Sequence, residues 1–297
     1  MGEHKLVAAA RTFLYANARL IDRRRFEYHF EGGPKQAVID ALKLYQNRDG
    51  GFGNALEPDI RCPDSQPVPT EMALQIMDEI ELFDPGIVSG IARYLRAIAL
   101  PGGGFPLVFR SAGNYPQAPW WKAEQDDAPS INPTGTILGL LRKQNAETSF
   151  YHESWFRDSE AYAWRVVGNG GELPHGYHDG VQWATFLEHA EDQARAALHR
   201  PAFDAWLLSP GTIELDPHAG GYVQKALDWA PTKDSYAAKR IADADVRRHL
   251  DALVASQQED GGWPMSWPAV APGAEAEWRG WITVNRLLTL KSYGIIG

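Results

Sequence analysis

The sequence predicts an all-α chain of about five or six helical hairpins in a stacked or circular array. Two segments near opposite ends point to it. Gln46-Asn47-Arg48-Asp49-Gly50-Gly51-Phe52 and Gln257-Gln258-Glu259-Asp260-Gly261-Gly262-Trp263 both read Q-x-x-D-G-G-aromatic, and each follows an amphipathic helical pattern. Gly-Gly pairs also recur at 50–51, 103–104, 170–171, 220–221 and 261–262. Their mean spacing of about 50 residues suits two helices and their loops. Phe52, Phe105 and Trp263 follow the first, second and last pairs. Glycine there permits a left-handed backbone after a helix, and the ring fills the gap to the next hairpin.

The helices are read in order from apolar stripes and end signals. Val38, Ala41, Leu42 and Tyr45 mark one stripe, and Ala73, Ile76, Met77 and Ile80 the next, with Thr70 as its expected N-cap. Asp84-Pro85 is a cap followed by a proline at the first helical position, before Ile87, Ile91, Tyr94, Leu95 and Ile98. Asn132-Pro133 repeats that signal before Ile137, Leu138, Leu140 and Leu141. Weaker patterns cover 154–167 and 181–199. Val246, Leu250, Leu253 and Val254 mark a late helix, with Asp243-Ala244-Asp245 at its start. Trp281 to Leu290 gives the last one, stopped by Gly294. Arg23-Arg24-Arg25 is expected to favour the C-terminus of the first helix, with a diphosphate contact as the alternative.

Bulk composition narrows the function. A 297-residue chain with a formal net charge of −9 does not suit nucleic acid or an anionic membrane as its main partner. One cysteine, Cys62, excludes an internal disulfide and any metal site built on several thiolates. The start lacks the blocks of a signal peptide and no apolar run is long enough to span a bilayer, so a cytoplasmic protein is expected. The 11 Trp, 11 Tyr and 11 Phe residues supply rigid faces for a core or a cavity wall.

The Q-x-x-D-G-G-[F/W] segments resemble the QW-type repeats of squalene–hopene cyclases and the matching turns of protein prenyltransferase β-subunits. The match is specific at residues 36–59 and 246–267. The resemblance implies an α/α toroid, in which inner helices ring a central cavity and outer helices pack around them. Residues 1–297 are then expected to form a single toroid domain, with the Thr70 and Trp281 helices inside. Squalene cyclases place their cavity between two toroids, and this chain is long enough for one. Its own cavity serves, or a second copy closes it in a homodimer. Gly50 to Asp59 and Tyr115 to Trp121 also resemble G-G-F-G-x-x-L-E-P-D and Y-P-x-A-P-W-W motifs of stand-alone bacterial proteins.

Class II terpene cyclases protonate an alkene with the middle aspartate of D-x-D-D, a motif that runs straight into an inner helix. The nearest match is Glu124-Gln125-Asp126-Asp127, in which Asp126 matches the proton donor. Here Ala128 to Ile131 intervene before Asn132-Pro133. The prenyltransferase zinc site of Asp, Cys and His is not matched around Cys62, and no D-D-x-x-D motif is present, so neither metal nor cofactor is expected.

Three constellations carry candidate chemistry. Glu57, Asp59 and Asp64 lie in a loop stiffened by Pro58, Pro63, Pro67 and Pro69. Carboxyls held close and partly dry there would act as general acids; otherwise they bond loop amides. Tyr115, Trp120 and Trp121 precede Glu124, Asp126 and Asp127. Rings beside acids suit carbocations, and equally suit sugars; a packed, proline-braced loop is the structural alternative. His175, His178 and Asp179 form a weak metal-ligand pattern that a surface loop also explains.

The leading expectation is a terpene-cyclase-like enzyme that cyclises or isomerises an isoprenoid or similar apolar molecule by protonation. Asp126 donates, Asp127, Glu57 and Asp59 tune the acid, and Phe52, Tyr115, Trp120, Trp121 and Trp263 shape the pocket. The alternatives are a carbohydrate-active α/α barrel with paired carboxylates, or a non-catalytic toroid that binds a lipid or a partner.

Overall fold

The computed structural model of the chain describes residues 3–168 and 173–297. Among the described residues there are twelve α-helices and no strand beyond isolated bridges, so the all-α expectation holds. The chain divides into two compact units, residues 1–41 with 204–297, and residues 42–203.

The second unit holds α4 (Pro67–Glu79), α5 (Pro85–Ile98), α6 (Ile131–Lys143), α7 (Ser154–Gly168) and α8 (Tyr177–His189). Its centre is α4 and α6. From Pro67 to Met77 every residue but Gln75 is buried, and from Ile131 to Leu141 every residue but Asn132. Helices that are apolar nearly all round belong in a core. α6 packs on α4, α7 and α8. Gly135 and Gly139 bring it against α8, where an added Cβ would stand 2.7 Å from the carbonyls of Gln182 and Thr185.

The first unit holds α1 (Glu3–Asn17), α2 (Leu20–Glu31), α10 (Ala226–Trp229), α11 (Asp243–Ala255) and α12 (Pro272–Ser292). α12 packs on α1 and α2, joining the two ends of the sequence. α3 (Lys35–Lys43) and α9 (Gln193–Leu207) cross the division between the units.

The repeated motif is a closed hydrogen-bond circuit. In the first copy Asn47 N donates to Gly51 O at 2.8 Å, and Gly51 N donates to Asp49 Oδ1 at 3.0 Å. In the last copy Gln258 N donates to Gly262 O at 2.9 Å, and Gly262 N to Asp260 Oδ1 at 3.0 Å. The glutamine clamps each turn to a neighbouring helix. Gln46 Nε2 bridges Gly50 O and Ile87 O on α5, and Gln257 Nε2 bridges Gly261 O and Leu6 O on α1. The middle turn, at Gly103-Gly104, has no aspartate. Ser159 Oγ on α7 takes its place and accepts from Gly104 N at 3.1 Å.

Each turn is then tied to a threonine inside a later helix. Phe52 N donates to Thr70 Oγ1, Phe105 N to Thr134 Oγ1 and Trp263 N to Thr283 Oγ1, at 3.0–3.1 Å. All three rings are buried. Replacing Thr70 or Thr283 by valine keeps the shape and strands a buried amide. Each variant is expected to lose about 1–3 kcal/mol in urea unfolding; wild-type stability in both would remove the threonine tie from the fold.

Several local expectations change. Thr70 is not an N-cap. α4 starts three residues earlier at Pro67, and the hydroxyl donates to Gln66 O at 2.8 Å. The stretch 181–199 is two helices, because Asp192 Oδ1 accepts from Arg195 N at 2.8 Å and starts α9. α12 begins at Pro272, nine residues before Trp281, while Gly294 does stop it with φ +70°. Arg23-Arg24-Arg25 lies within α2. Arg23 Nε does donate to Ala18 O, just past α1, at 2.8 Å. Arg25 is fully buried between Asp22, Asn285 and the Trp281 ring, which leaves it no diphosphate to meet. Gly220-Gly221 is an open loop in which an added Cβ meets nothing within 4 Å. Gly170-Gly171 lies outside the described residues.

Candidate functional site

Residues 53–66 form a compact loop between the Phe52 turn and α4. Gly53 starts it against the carbonyls of Pro63 and Asp64, and Asn47 Nδ2 donates to Pro63 O at 2.8 Å. Asn54 and Ala55 follow with φ of +55° and +59°. Left-handed backbone at two successive non-glycine residues costs about 1–3 kcal/mol each and is found where a loop is held in place by its surroundings.

That strained stretch delivers Glu57 and Asp59 inward, 3% and 1% exposed. The loop then meets the segment 115–121. Arg61 N donates to Pro116 O, and Ala118 N to Asp59 O, both at 3.0 Å. Ile60, Cys62, Val68, Val108 and Ala112 form an apolar cluster on which Trp121 packs. Trp121 Nε1 donates to Glu57 Oε1 at 3.2 Å, whereas the other oxygen, Oε2, is buried with no hydrogen-bond partner. Burial, and next the charge of Asp59, push the Glu57 carboxyl from its ordinary 4.5 to about 8. It is therefore largely protonated at neutral pH and able to donate a proton.

The structure thus brings together Glu57, Asp59 and Trp121 from two separate sequence motifs. Asp126 and Asp127 do not join them and are exposed. Asp126 Oδ1 accepts from Arg110 N at 2.7 Å. The residues that run straight into α6 are Ser130-Ile131-Asn132-Pro133, which include no acid. Asp64 is exposed. Tyr115 and Trp120 point outward, 42% and 49% exposed. Phe52 and Trp263 are buried core rings, and the Trp263 indole donates to Leu253 O at 2.9 Å. Both rings seal turns and face no open space. His175 and His178 are exposed, and His175 N donates to Asp179 Oδ2.

A second buried acid, Glu71 on α4, has no counterpart in the sequence reading. Gln182 Nε2 of α8 donates to Glu71 Oε1 at 2.8 Å, and Gln75 Nε2 donates to the same oxygen at 3.1 Å. The Thr136 hydroxyl of α6 also bonds the carboxyl. Gln182 continues the network, accepting from Thr136 N at 2.5 Å and donating to Asn132 Oδ1 at 3.3 Å. Asn132 is non-helical, and in the turn that follows it the Thr136 amide is held by the Gln182 side chain. Burial raises Glu71 from 4.5 to about 7 against the pull of its donors. The one charged residue between Pro67 and Met77 is the signal the sequence offers.

Open grooves lie elsewhere, in the first unit. One of about 700 Å³ is lined by residues of the 215–218 loop and α11, and a smaller one by Trp267, Glu275 and Arg279. Among the described residues no three His, Cys, Asp or Glu side chains are placed to hold a metal ion, and no helix is long and apolar enough to cross a membrane.

No family model matches the chain. Over 236 residues, 76% of its length, it is 25% identical to drimenyl diphosphate synthase of Streptantibioticus cattleyicolor. It is a distant relative of that protein. The match spans 41% of the synthase. The fold is shared with a protein from Actinoplanes of known crystal structure, at a TM-score of 0.56 and 13% identity over 98% of this chain and 99% of the other. The similarity to the synthase fits the terpene-cyclase-like fold that the resemblance implies, and the Actinoplanes structure shows the fold alone.

Proposed function

We propose that the protein is a terpene-cyclase-like enzyme that isomerises or cyclises an isoprenoid, or a similar apolar molecule, by protonating an alkene. Glu57 is the proton donor, Asp59 keeps its carboxyl protonated, and Trp121 orients it. The observation that carries this reading is a dry carboxylic acid with one oxygen bonded to an indole and the other bonded to nothing. An acid so placed can surrender its proton to a weak base such as an alkene, because water does not compete for it. The similarity to drimenyl diphosphate synthase supports the substrate class. Burial of both acids favours an apolar substrate over a sugar, which would bind in a wet groove between separated carboxylates.

The purified protein is to be incubated with prenyl diphosphates, linear polyprenes and acidic oligosaccharides, and the products identified by mass spectrometry. Conversion of an isoprenoid is expected. Glu57→Gln should lower it by about 10²–10⁴-fold, the usual contribution of a general acid. Loss of turnover in Asp126→Ala with full turnover in Glu57→Gln would move the donor to the exposed loop and end this assignment. Conversion of oligosaccharides alone would replace the isoprenoid reading by the carbohydrate one.

A further inference from the structure

We infer that residues 115–129 are a lid over Glu57, which lifts to admit the substrate and closes for the proton transfer. This rests on the reading above. Glu57 is 3% exposed, and its Oε2 is closed to solvent. An oxygen that a water molecule cannot touch cannot touch the larger carbon of an alkene. The acid must therefore be uncovered before it can act, and one of the segments around it has to move.

Of the two segments that meet at Glu57, the first is fixed. From Gly50 to Ile60 every residue but Asn54 is buried. The second is loosely held. Between Tyr115 and Pro129 the buried residue is Ala118, and the regular structure is a single turn at Pro119–Trp121. Its two ends are pinned. Tyr115 N donates to the carbonyl of Ala112, a member of the apolar cluster, at 3.1 Å, and Ser130 N donates to Phe105 O at 2.9 Å. Irregular stretches of this length in a compact unit are characteristic of lids and binding loops.

The lid is tied down by Arg61 N on Pro116 O, by Ala118 N on Asp59 O, and by the Trp121 indole on Glu57 Oε1. Gln117 sits between the two backbone bonds with its Oε1 buried and without a hydrogen-bond partner. The closed contact thus carries a desolvation cost that opening to water removes. A segment with so few buried side chains opens while the surrounding helices stay folded. Lifting it draws Trp121 off Glu57 and uncovers the acid. Closing returns the indole and keeps water out while the cation exists.

Amide hydrogen exchange on wild type tests the opening without any substrate. The Arg61 and Ala118 amides are expected to exchange together, at least about 100-fold faster than those of Ile137 to Leu141 in α6. Exchange as slow as in α6 would mean that the segment leaves only on global unfolding, and would overturn the inference. A lock tests the need for opening. Ile60 and Gln117 are paired between the two backbone bonds, a position whose Cα atoms stand about 4.5 Å apart, within reach of a disulfide. Ile60→Cys with Gln117→Cys is made in a Cys62→Ala background. Two readouts are taken: labelling of Glu57 by dicyclohexylcarbodiimide, an apolar reagent for protonated carboxyls, and conversion of C15 and C20 prenyl diphosphates and a linear polyprene. Oxidation should lower both by at least about 100-fold, and reduction should restore them. Undiminished labelling and conversion in the oxidised protein would overturn the lid and leave Glu57 as the donor. Wild type inert on all three substrates would remove the isoprenoid reading, while labelling and exchange still decide the lid. If the cysteine variant does not fold, the exchange comparison on wild type decides it.

Discussion

Gly50→Ala and Gly261→Ala are each expected to lose about 4 kcal/mol or more, which puts either variant near or beyond global unfolding. Two independent penalties act at each position. The backbone has φ of +98° at Gly50 and +92° at Gly261, a region that alanine enters only with strain. An added Cβ at Gly50 would also lie 2.0 Å from the carbonyl oxygen of Gly90 on α5, and at Gly261 2.1 Å from that of Ala9 on α1. Neither obstacle is a flexible side-chain end, so relief requires the turn to leave its helix. That would break the bonds of Gln46 to Ile87 and of Gln257 to Leu6. Gly103, with φ of +79° and an added Cβ 2.0 Å from Asp158 O on α7, belongs to the same class. Gly102→Ala and Gly220→Ala are the controls, since an added Cβ there meets nothing within 4 Å. They are expected to stay within about 0.5 kcal/mol of wild type. Urea midpoints for the series decide the matter, and a wild-type midpoint for Gly50→Ala would mean that the turn does not seat on α5.

The same turns explain what could be read from the sequence. In the first and last turns the clamp, the aspartate and the glycines fall within seven consecutive residues, so that part of the circuit is written out locally. The threonine that ties each of the three turns comes 18, 20 or 29 residues later, and no local pattern marks it. Thr70 therefore reads in the sequence only as a cap. Where the turn chemistry is absent the glycine signal misleads, as at Gly220-Gly221, which has neither the clamp nor the aspartate. The loop acids divide on a similar principle. Glu57 and Asp127 look alike in a linear reading, both beside prolines or aromatics. What separates them is that Gly53, Asn54 and Ala55 fold one segment inward while the other stays in solvent. Glu71 is not legible in the sequence because the state of an acid on a largely apolar helix depends on whether that helix is covered on every side. Covering by α6 and α8 is a tertiary fact.

Stability is expected to be highest near pH 5 and to fall toward pH 9, and the two buried glutamates are the reason. In the unfolded chain both ionise near the ordinary 4.5, whereas in the fold Glu71 holds its proton to about 7 and Glu57 to about 8. Between those limits the native state binds more protons than the unfolded state, so stability decreases as pH rises. Their contribution is complete below about 4.5 and is lost progressively up to about 7 for Glu71 and about 8 for Glu57. At about 1.4 kcal/mol per pH unit for each group, the loss across the window is on the order of several kcal/mol. Asp84 and Asp260 act in the opposite sense, since bonds from the Ile87 amide and then Lys43 lower Asp84 and a bond from Arg279 lowers Asp260, but both are near the surface and weigh little. Urea unfolding at pH 5.5 and 8.5 measures the slope. Glu57→Gln cannot ionise, so it should match wild type at the lower pH and exceed it at the higher one. Equal or greater stability of wild type at pH 8.5 would mean that these carboxyls are not dry. The proposed chemistry draws on Glu57. It requires that carboxyl protonated, so the rate should fall as pH rises through about 8. Activity and this part of the stability are then lost together as Glu57 ionises.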